Sequence, residues 1–497
     1  MEERVELIKT GLINLVLFIA IVFASFIVAI MSTRKLTPAE FGTYQFLINF
    51  SSYFLILSST LSWFATRFTA RKINIIQKLF IYCFEGIIFL SIIFFVVLYF
   101  INENVFYIGY NLIILTLLFM ITMQIYNIFL GIMSGYNVVT SSFGNFIQAI
   151  IRLGLLLIII YLLFIKISIE IILLVFVISN LVAIIFFATK TKSIRNYEKG
   201  DEKFKKAIRE LWFFPFLTFL VGLFVFYDSV IVALFLANTL PLAYFRTAII
   251  IVNIVNYIQA LLSSFYKKYL ETINEYNVRL GFKIVSIYLS FTVPLIIALG
   301  DILLAILRLD YITSYYALII LTIVFAIGNF SHLLTLLIQA KEKETEELNK
   351  ENFFKLLKID IFSLFIQYAV LAIVLFLAKN YLQEPYLIAF LWSFAWLSNS
   401  INSFILKYKL FKEELNIKIP LRNILKYTVS GIISGIVLFI LKPKSIGITF
   451  IENFFNAIIY SFIYLIIFLI IFYFIDKKTL YKIYLILFKE ILGKKSF

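Results

Sequence analysis

"TRKLTPAEFGTYQF", residues 33–46, is a short polar stretch carrying two adjacent positive charges between two long apolar runs. Thr37-Pro38-Ala39-Glu40 has the form of a capping box: Thr37 can accept from the Glu40 amide, Glu40 can reach back, and Pro38 suits a first helical position. The stretch therefore reads as a hairpin that ends one apolar helix and starts the next, with Phe41 and Tyr44 at headgroup depth. Apolar runs of this kind recur along the chain, each long enough to cross a bilayer. With 63% hydrophobic and 14% charged residues, the composition excludes an ordinary soluble domain.

About fourteen spans are expected, near 11–31, 43–65, 76–100, 108–133, 141–165, 169–189, 212–236, 241–266, 282–307, 313–340, 356–378, 385–406, 424–441 and 452–475. With the N-terminus inside, 35 of the 44 Lys and Arg lie on the inner side, four of them in the first turn of a span, and seven lie in outer loops. That bias predicts a multi-pass plasma-membrane protein with both termini cytoplasmic. The net charge of +16 is then mostly topology and gives no reason to expect a nucleic-acid partner. The single cysteine, Cys83, excludes a disulfide framework and a multi-cysteine metal site. No phosphate-binding Gly-x-x-x-x-Gly-Lys-Ser/Thr loop is present, so direct ATP hydrolysis is not expected, nor is any cofactor.

The chain also echoes itself. "SFIVAIMSTRKLTPAEFGTY" from Ser25 is answered by "SVIVALFLANTLPLAYFRTA" from Ser229, with Pro38 and Pro241 in corresponding places. The offset matches a block of six spans, so two six-helix lobes of like orientation are expected around a central cavity. The fold class predicted is all-α and polytopic. Residues 1–189 form the first lobe, 190–211 a basic cytoplasmic linker with an amphipathic part on the inner leaflet, and 212–406 the second lobe. Residues 407–475 add two further spans, and 476–497 a basic amphipathic tail.

The opening run resembles that of the polysaccharide-biosynthesis flippases, the Wzx-type oligosaccharide-lipid exporters of the multidrug/oligosaccharidyl-lipid/polysaccharide superfamily. In that family the run typically reads Arg-x-Leu-Gly-Pro-x-x-Phe-Gly-x-Tyr. Arg34, Leu36, Pro38, Phe41, Gly42 and Tyr44 fit, while Thr37 replaces the glycine. "YDSVIVALFLANTLPLAYFRTA" is similar to the family's seventh and eighth spans. The resemblance implies a transporter, not an enzyme, that carries a polyprenyl-(di)phosphate-linked oligosaccharide to the outer leaflet by alternating access. Its expected partners are that glycan lipid, membrane lipids and glycan-assembly enzymes. A cation-coupled drug or metabolite exporter of the same fold is the alternative. A membrane glycosyltransferase or polymerase is a weaker one, because the outer loops are short.

Ionisable groups within spans normally face a cavity or a partner. Four are embedded: Glu85, Arg152, Asp228 and Arg246, one acid and one base in each half. Either they form two ion pairs that hold helices together, or the arginines bind a diphosphate through their bidentate geometry. Asn253, Asn256 and Gln259 recur at i,i+3 and make a polar stripe suited to sugar hydroxyls, or to helix–helix bonding. Arg67 and Arg71 cluster at the inner end of the second span, as anchors or as a site of substrate capture.

Overall fold

The computed structural model describes residues 2–194, 197–226, 228–259, 262, 274–341, 350–443 and 446–491, which are almost entirely helical. The chain divides into two compact units, Met1–Ala243 and Tyr244–Phe497. Ten described helices are long and apolar enough to cross a membrane, or twelve if each of two bent pairs is one span. The protein is thus a multi-pass, all-α membrane protein.

The first unit opens with α1 (Glu2–Lys35) and α2 (Pro38–Tyr53). The capping box forms as expected: Thr37 Oγ1 accepts from the Glu40 amide at 3.3 Å, and Glu40 Oε2 accepts from the Thr37 amide at 2.7 Å. The expected second span is bent by 54° between α2 and α3 (Ile56–Ala70). The amides of Phe54 and Leu55 bond three residues back, to Ser51 and Ser52. The hydroxyls of Ser51, Ser52 and Ser58 compete for carbonyls of the same segment, and such competition tightens and bends a helix.

Next come α4 (Ile76–Asn104), α5 (Tyr110–Tyr136), α6 (Val138–Leu157, with a π turn to Leu162) and α7 (Ile169–Lys190). α3 packs along α5, α5 and α6 along α7, and α1 along α6. Asn137 caps α6, its side chain accepting from the amides of Val139 and Thr140.

The linker does not lie free on lipid. β1 (Ile73–Asn74) pairs in parallel with β2 (Glu198–Lys199), fastening the chain after α7 to the loop before α4. The linker helix α8 (Asp201–Leu211) then drives Phe204, fully buried, against Phe64, Phe68 and Tyr82. The apolar face expected on the inner leaflet is covered by the protein's own helices, because a ready apolar cluster lies beside it.

The expected seventh span is broken into α9 (Phe213–Phe226) and α10 (Ser229–Leu236). α9 packs on α3 and α10 on α2. A Cβ on Gly42 would lie 2.2 Å from the Thr239 carbonyl oxygen, so only glycine permits this approach. Thr43 and Thr239 hydroxyls meet at 3.2 Å, and Asn49 Nδ2 donates to Ser229 Oγ at 2.9 Å. The two segments that echo each other in sequence thus touch at Gly42 and Thr43.

α11 (Leu240–Asn256) carries the boundary between the units. The second unit continues with α12 (Glu275–Leu307), α13 (Tyr315–Ala340), α14 (Lys350–Tyr381), α15 (Pro385–Leu415), α16 (Leu421–Leu441) and α17 (Phe450–Ile491). α15 is the polar member, and its amides are answered: Asn399 donates to Gln367 at 2.7 Å and Asn402 to Ser363 at 2.9 Å. The final pair, α16 and α17, both pack on α12. Pro294 inside α12 withdraws the amide that would bond the Ser290 carbonyl. The Tyr464 hydroxyl of α17 donates to that carbonyl instead, at 3.3 Å. A Cβ on Gly431 of α16 would lie 2.0 Å from the same oxygen. A single proline thus creates the notch into which both added helices fit. α17 has a non-helical residue, Asp476, where the expected tail begins; residues 492–497 of that tail lie outside the described residues.

Candidate functional site

In the first unit, the cap at Asn137 sets α6 so that Asn145, Gln148 and Arg152 lie one turn apart on a single face. Each meets a neighbouring helix. The Tyr126 hydroxyl of α5 donates to Asn145 Oδ1. Gln148 Nε2 donates to Asn180 Oδ1 of α7 at 2.6 Å, and Asn180 Nδ2 donates to Thr122 Oγ1 of α5 at 3.3 Å. The Arg152 guanidinium lies over the Phe176 ring, 3.8 Å from its centroid. Its electrostatic neighbours are the hydroxyls of Tyr44 and Tyr126. Tyr44 is buried at 6% exposure and Phe41 at 1%. α2 turns both rings inward, where Tyr44 meets Phe176 edge-on.

Glu85 does not pair with Arg152. It sits on the exposed face of α4 beside Phe84 and Phe89, and forms no ion pair among the described residues. The buried stripe of α4 runs through Leu79, Cys83 and Ile87. Glu85, two residues beyond Cys83, points about 200° away from it. The reading of this acid and base as a structural ion pair therefore fails. Cys83 itself packs in the core, as its residue type suggested.

Asp228 is wholly buried at the break between α9 and α10, where its carbonyl accepts from the Val232 amide and starts α10. Arg246 is partly buried on α11. The adjacent Phe245 anchors α11 by stacking on Trp392, centroids 3.7 Å apart. Asn253 lies two turns further along the Arg246 face and is the exposed residue of an otherwise covered helix. It makes no hydrogen bond among the described residues. Asn256 and Gln259 are brought together, Gln259 Nε2 donating to Asn256 Oδ1 at 3.4 Å, and Asn329 ties this end of α11 to α13 through the Val255 carbonyl at 3.1 Å.

Arg67 and Arg71 occupy the last turn and cap of α3, both exposed, four residues apart on one face. Arg67 stacks over Trp63, 3.2 Å from the ring centroid. Neither arginine forms an ion pair among the described residues. The second unit also holds a cavity of about 550 Å³ between α12, α13 and α16, lined by Leu289, Val293, Ile297, Phe330, Ile432 and Phe439 among others. Sequence reading missed Phe176 and Trp63, the platforms of the two arginines, because aromatic residues are 18% of this chain and offer no contrast.

No protein-family model and no curated protein matches the sequence. Among solved structures the chain is similar to the lipid II flippase MurJ in an inward closed conformation, with TM-score 0.59 and 15% identity over 90% of this chain and 98% of that one. It is also similar to an inward-facing multidrug resistance MATE transporter of the MOP superfamily, with TM-score 0.56 and 14% identity, covering 82% and 99% of the two chains. The Vibrio cholerae MATE transporter VcmN gives TM-score 0.54 and 12% identity over 82% of this chain and 98% of that one. The chain therefore shares the fold of these transporters.

Proposed function

We propose that the protein is a membrane transporter that moves a polyprenyl-phosphate- or diphosphate-linked oligosaccharide from the cytoplasmic to the outer leaflet of the cell membrane by alternating access. The observation that carries this reading is the face of α11, where Arg246 and the exposed Asn253 share one side of a helix at membrane depth. A guanidinium and an amide in register match a phosphate next to sugar hydroxyls. A greasy cation would be repelled by the first and gain little from the second.

Two other features agree. Arg67 and Arg71, like charges held together at the end of α3, suit capture of the phosphate at the inner surface. The apolar cavity of the second unit suits a stretch of isoprenoid chain. The energy source would be an ion gradient or the membrane potential, as the sequence contains no nucleotide-binding loop.

The test is flipping of a lipid-linked oligosaccharide in proteoliposomes. Arg246→Ala and Asn253→Ala should each lower the rate at least tenfold, and Arg67→Ala with Arg71→Ala should raise the half-saturating substrate concentration. Normal flipping in the Arg246 and Asn253 variants, or export of small organic cations with no glycan lipid moved, overturns the reading in favour of a MATE-like exporter.

A further inference from the structure

Three lysines near helix ends are answered by acids. Lys407 pairs with Asp360 at 2.8 Å, Lys442 with Asp301 at 2.6 Å, and Lys426 with Asp476 at 3.4 Å. Arg152 is treated differently. It has no carboxylate neighbour, no ion pair and no hydrogen-bond acceptor among the described residues, and its Nε is fully buried without a partner. A guanidinium left so within a span is costly, and the Phe176 face offsets only part of that cost.

The surroundings define what could compensate it. Phe176 covers one face of the guanidinium plane, so the N–H edge is the side left for a ligand. The Tyr44 hydroxyl, within electrostatic reach of Arg152, has no hydrogen bond among the described residues either. Tyr126 directs its proton to Asn145. Two donors, one cationic, thus share the Phe176 ring as a neighbour and have no acceptor among the described residues. α2, α5 and α7 of the same unit supply these neighbours, and the one positive charge they surround is balanced by a single monovalent anion.

We infer that Arg152 and Tyr44 hold one small monovalent inorganic anion of chloride size inside the first unit, a binding site separate from the cargo-contacting face of α11. The anion accepts from the guanidinium edge and from the Tyr44 hydroxyl, neutralises the buried charge, and fixes α6 against α2. Its occupancy stabilises the fold by mass action.

The test is equilibrium binding of radiolabelled chloride to the purified full-length chain in detergent, with thermal unfolding followed in parallel. Sodium chloride would replace sodium gluconate at constant ionic strength. Wild type should bind one chloride per chain saturably, and its unfolding midpoint should rise with the same concentration dependence. Arg152→Gln should abolish both effects. Tyr44→Phe, which keeps the ring, should weaken binding at least fivefold and so decides the matter if Arg152→Gln does not fold. No saturable binding, or equal affinity in wild type and Tyr44→Phe, overturns the site. Chloride binding is read without any glycan lipid, so its failure and failure of the flipping assay are separate results.

Discussion

The two units share a helical plan but not an interior. Inside the first, a face of α6 presents Asn145, Gln148 and Arg152 to Tyr126, Asn180 and Phe176, and hydrogen bonds run from α6 through α7 to α5. In the second, α12, α13 and α16 line an open apolar cavity, while the polar contacts lie beside it, between α14 and α15 and from α17 to the carbonyl released by Pro294. The difference teaches that the sequence echo preserves where helices stop and start, while the chemistry between them has diverged. A polar interior specifies partners by hydrogen bonds. An apolar one specifies them by shape, and tolerates flexible apolar occupants.

The sharpest way to break the contrast is at the shape-dependent contact. Gly431→Val places a branched side chain where even a Cβ would lie 2.0 Å from the Ser290 oxygen. It should cost about 3 kcal/mol and separate α16 from α12. Unfolding in detergent should begin with the second unit, seen as early protease cleavage beyond residue 415. A wild-type midpoint and cleavage pattern would mean that the notch does not seat α16.

At the polar interior, Asn180→Leu keeps the volume but leaves Gln148 without its acceptor and Thr122 without its donor. The expected loss is about 2 kcal/mol, typical of a buried polar group deprived of its partner. Ser290→Ala is the matched control in the second unit, since that hydroxyl bonds only its own helix, at the Ile287 carbonyl. Equal midpoints for the two variants would erase the distinction between the interiors. A smaller effect, about 1 kcal/mol, is expected for Tyr464→Phe, which removes the donor to the Ser290 carbonyl.

What could be read from sequence follows the same division. The capping box at Thr37 and the helix start at Pro241 rest on local signals, and the structure reproduces both as helix ends; against about fourteen expected spans, the described helices give ten, or twelve with the bent pairs. The direction of embedded charges does not rest on local signals. A helix apolar all round has no contrast from which its buried side can be read. For that reason the sequence marks Glu85 as lying within an apolar run but not that it faces outward, and marks Tyr44 as aromatic near a helix start but not that the protein covers it. The arginine's company, Phe176 and Tyr126, depends on α5 and α7 meeting α6 in one register, which no single segment encodes. Likewise, the amphipathicity of the linker does not say whether lipid or protein takes its apolar face.

The smallest expected effect lies outside the spans and applies to the second unit alone. Glu414, at the end of α15, accepts from Lys341 at 3.0 Å and from Lys355 at 3.1 Å, joining the ends of α13, α14 and α15. The hydrogen bond from Lys341 first, and then that from Lys355, hold its carboxyl below the usual carboxylate range. A carboxyl depressed on folding contributes stability above its unfolded value near 4.3 and loses it as the pH falls through the lower folded value. Wild type should therefore lose this contribution on acidification below about pH 4.3. Glu414→Gln, which cannot ionise, should be slightly less stable than wild type at neutral pH and indistinguishable from it once the carboxyl is protonated. Because the group is near the surface, raised salt should shrink the gap at neutral pH. The polar network of the first unit is uncharged apart from Arg152, so Asn180→Leu should keep a constant deficit across the same pH range. If the gap between wild type and Glu414→Gln stays constant as the pH falls, the three helix ends are held by packing and not by the carboxylate.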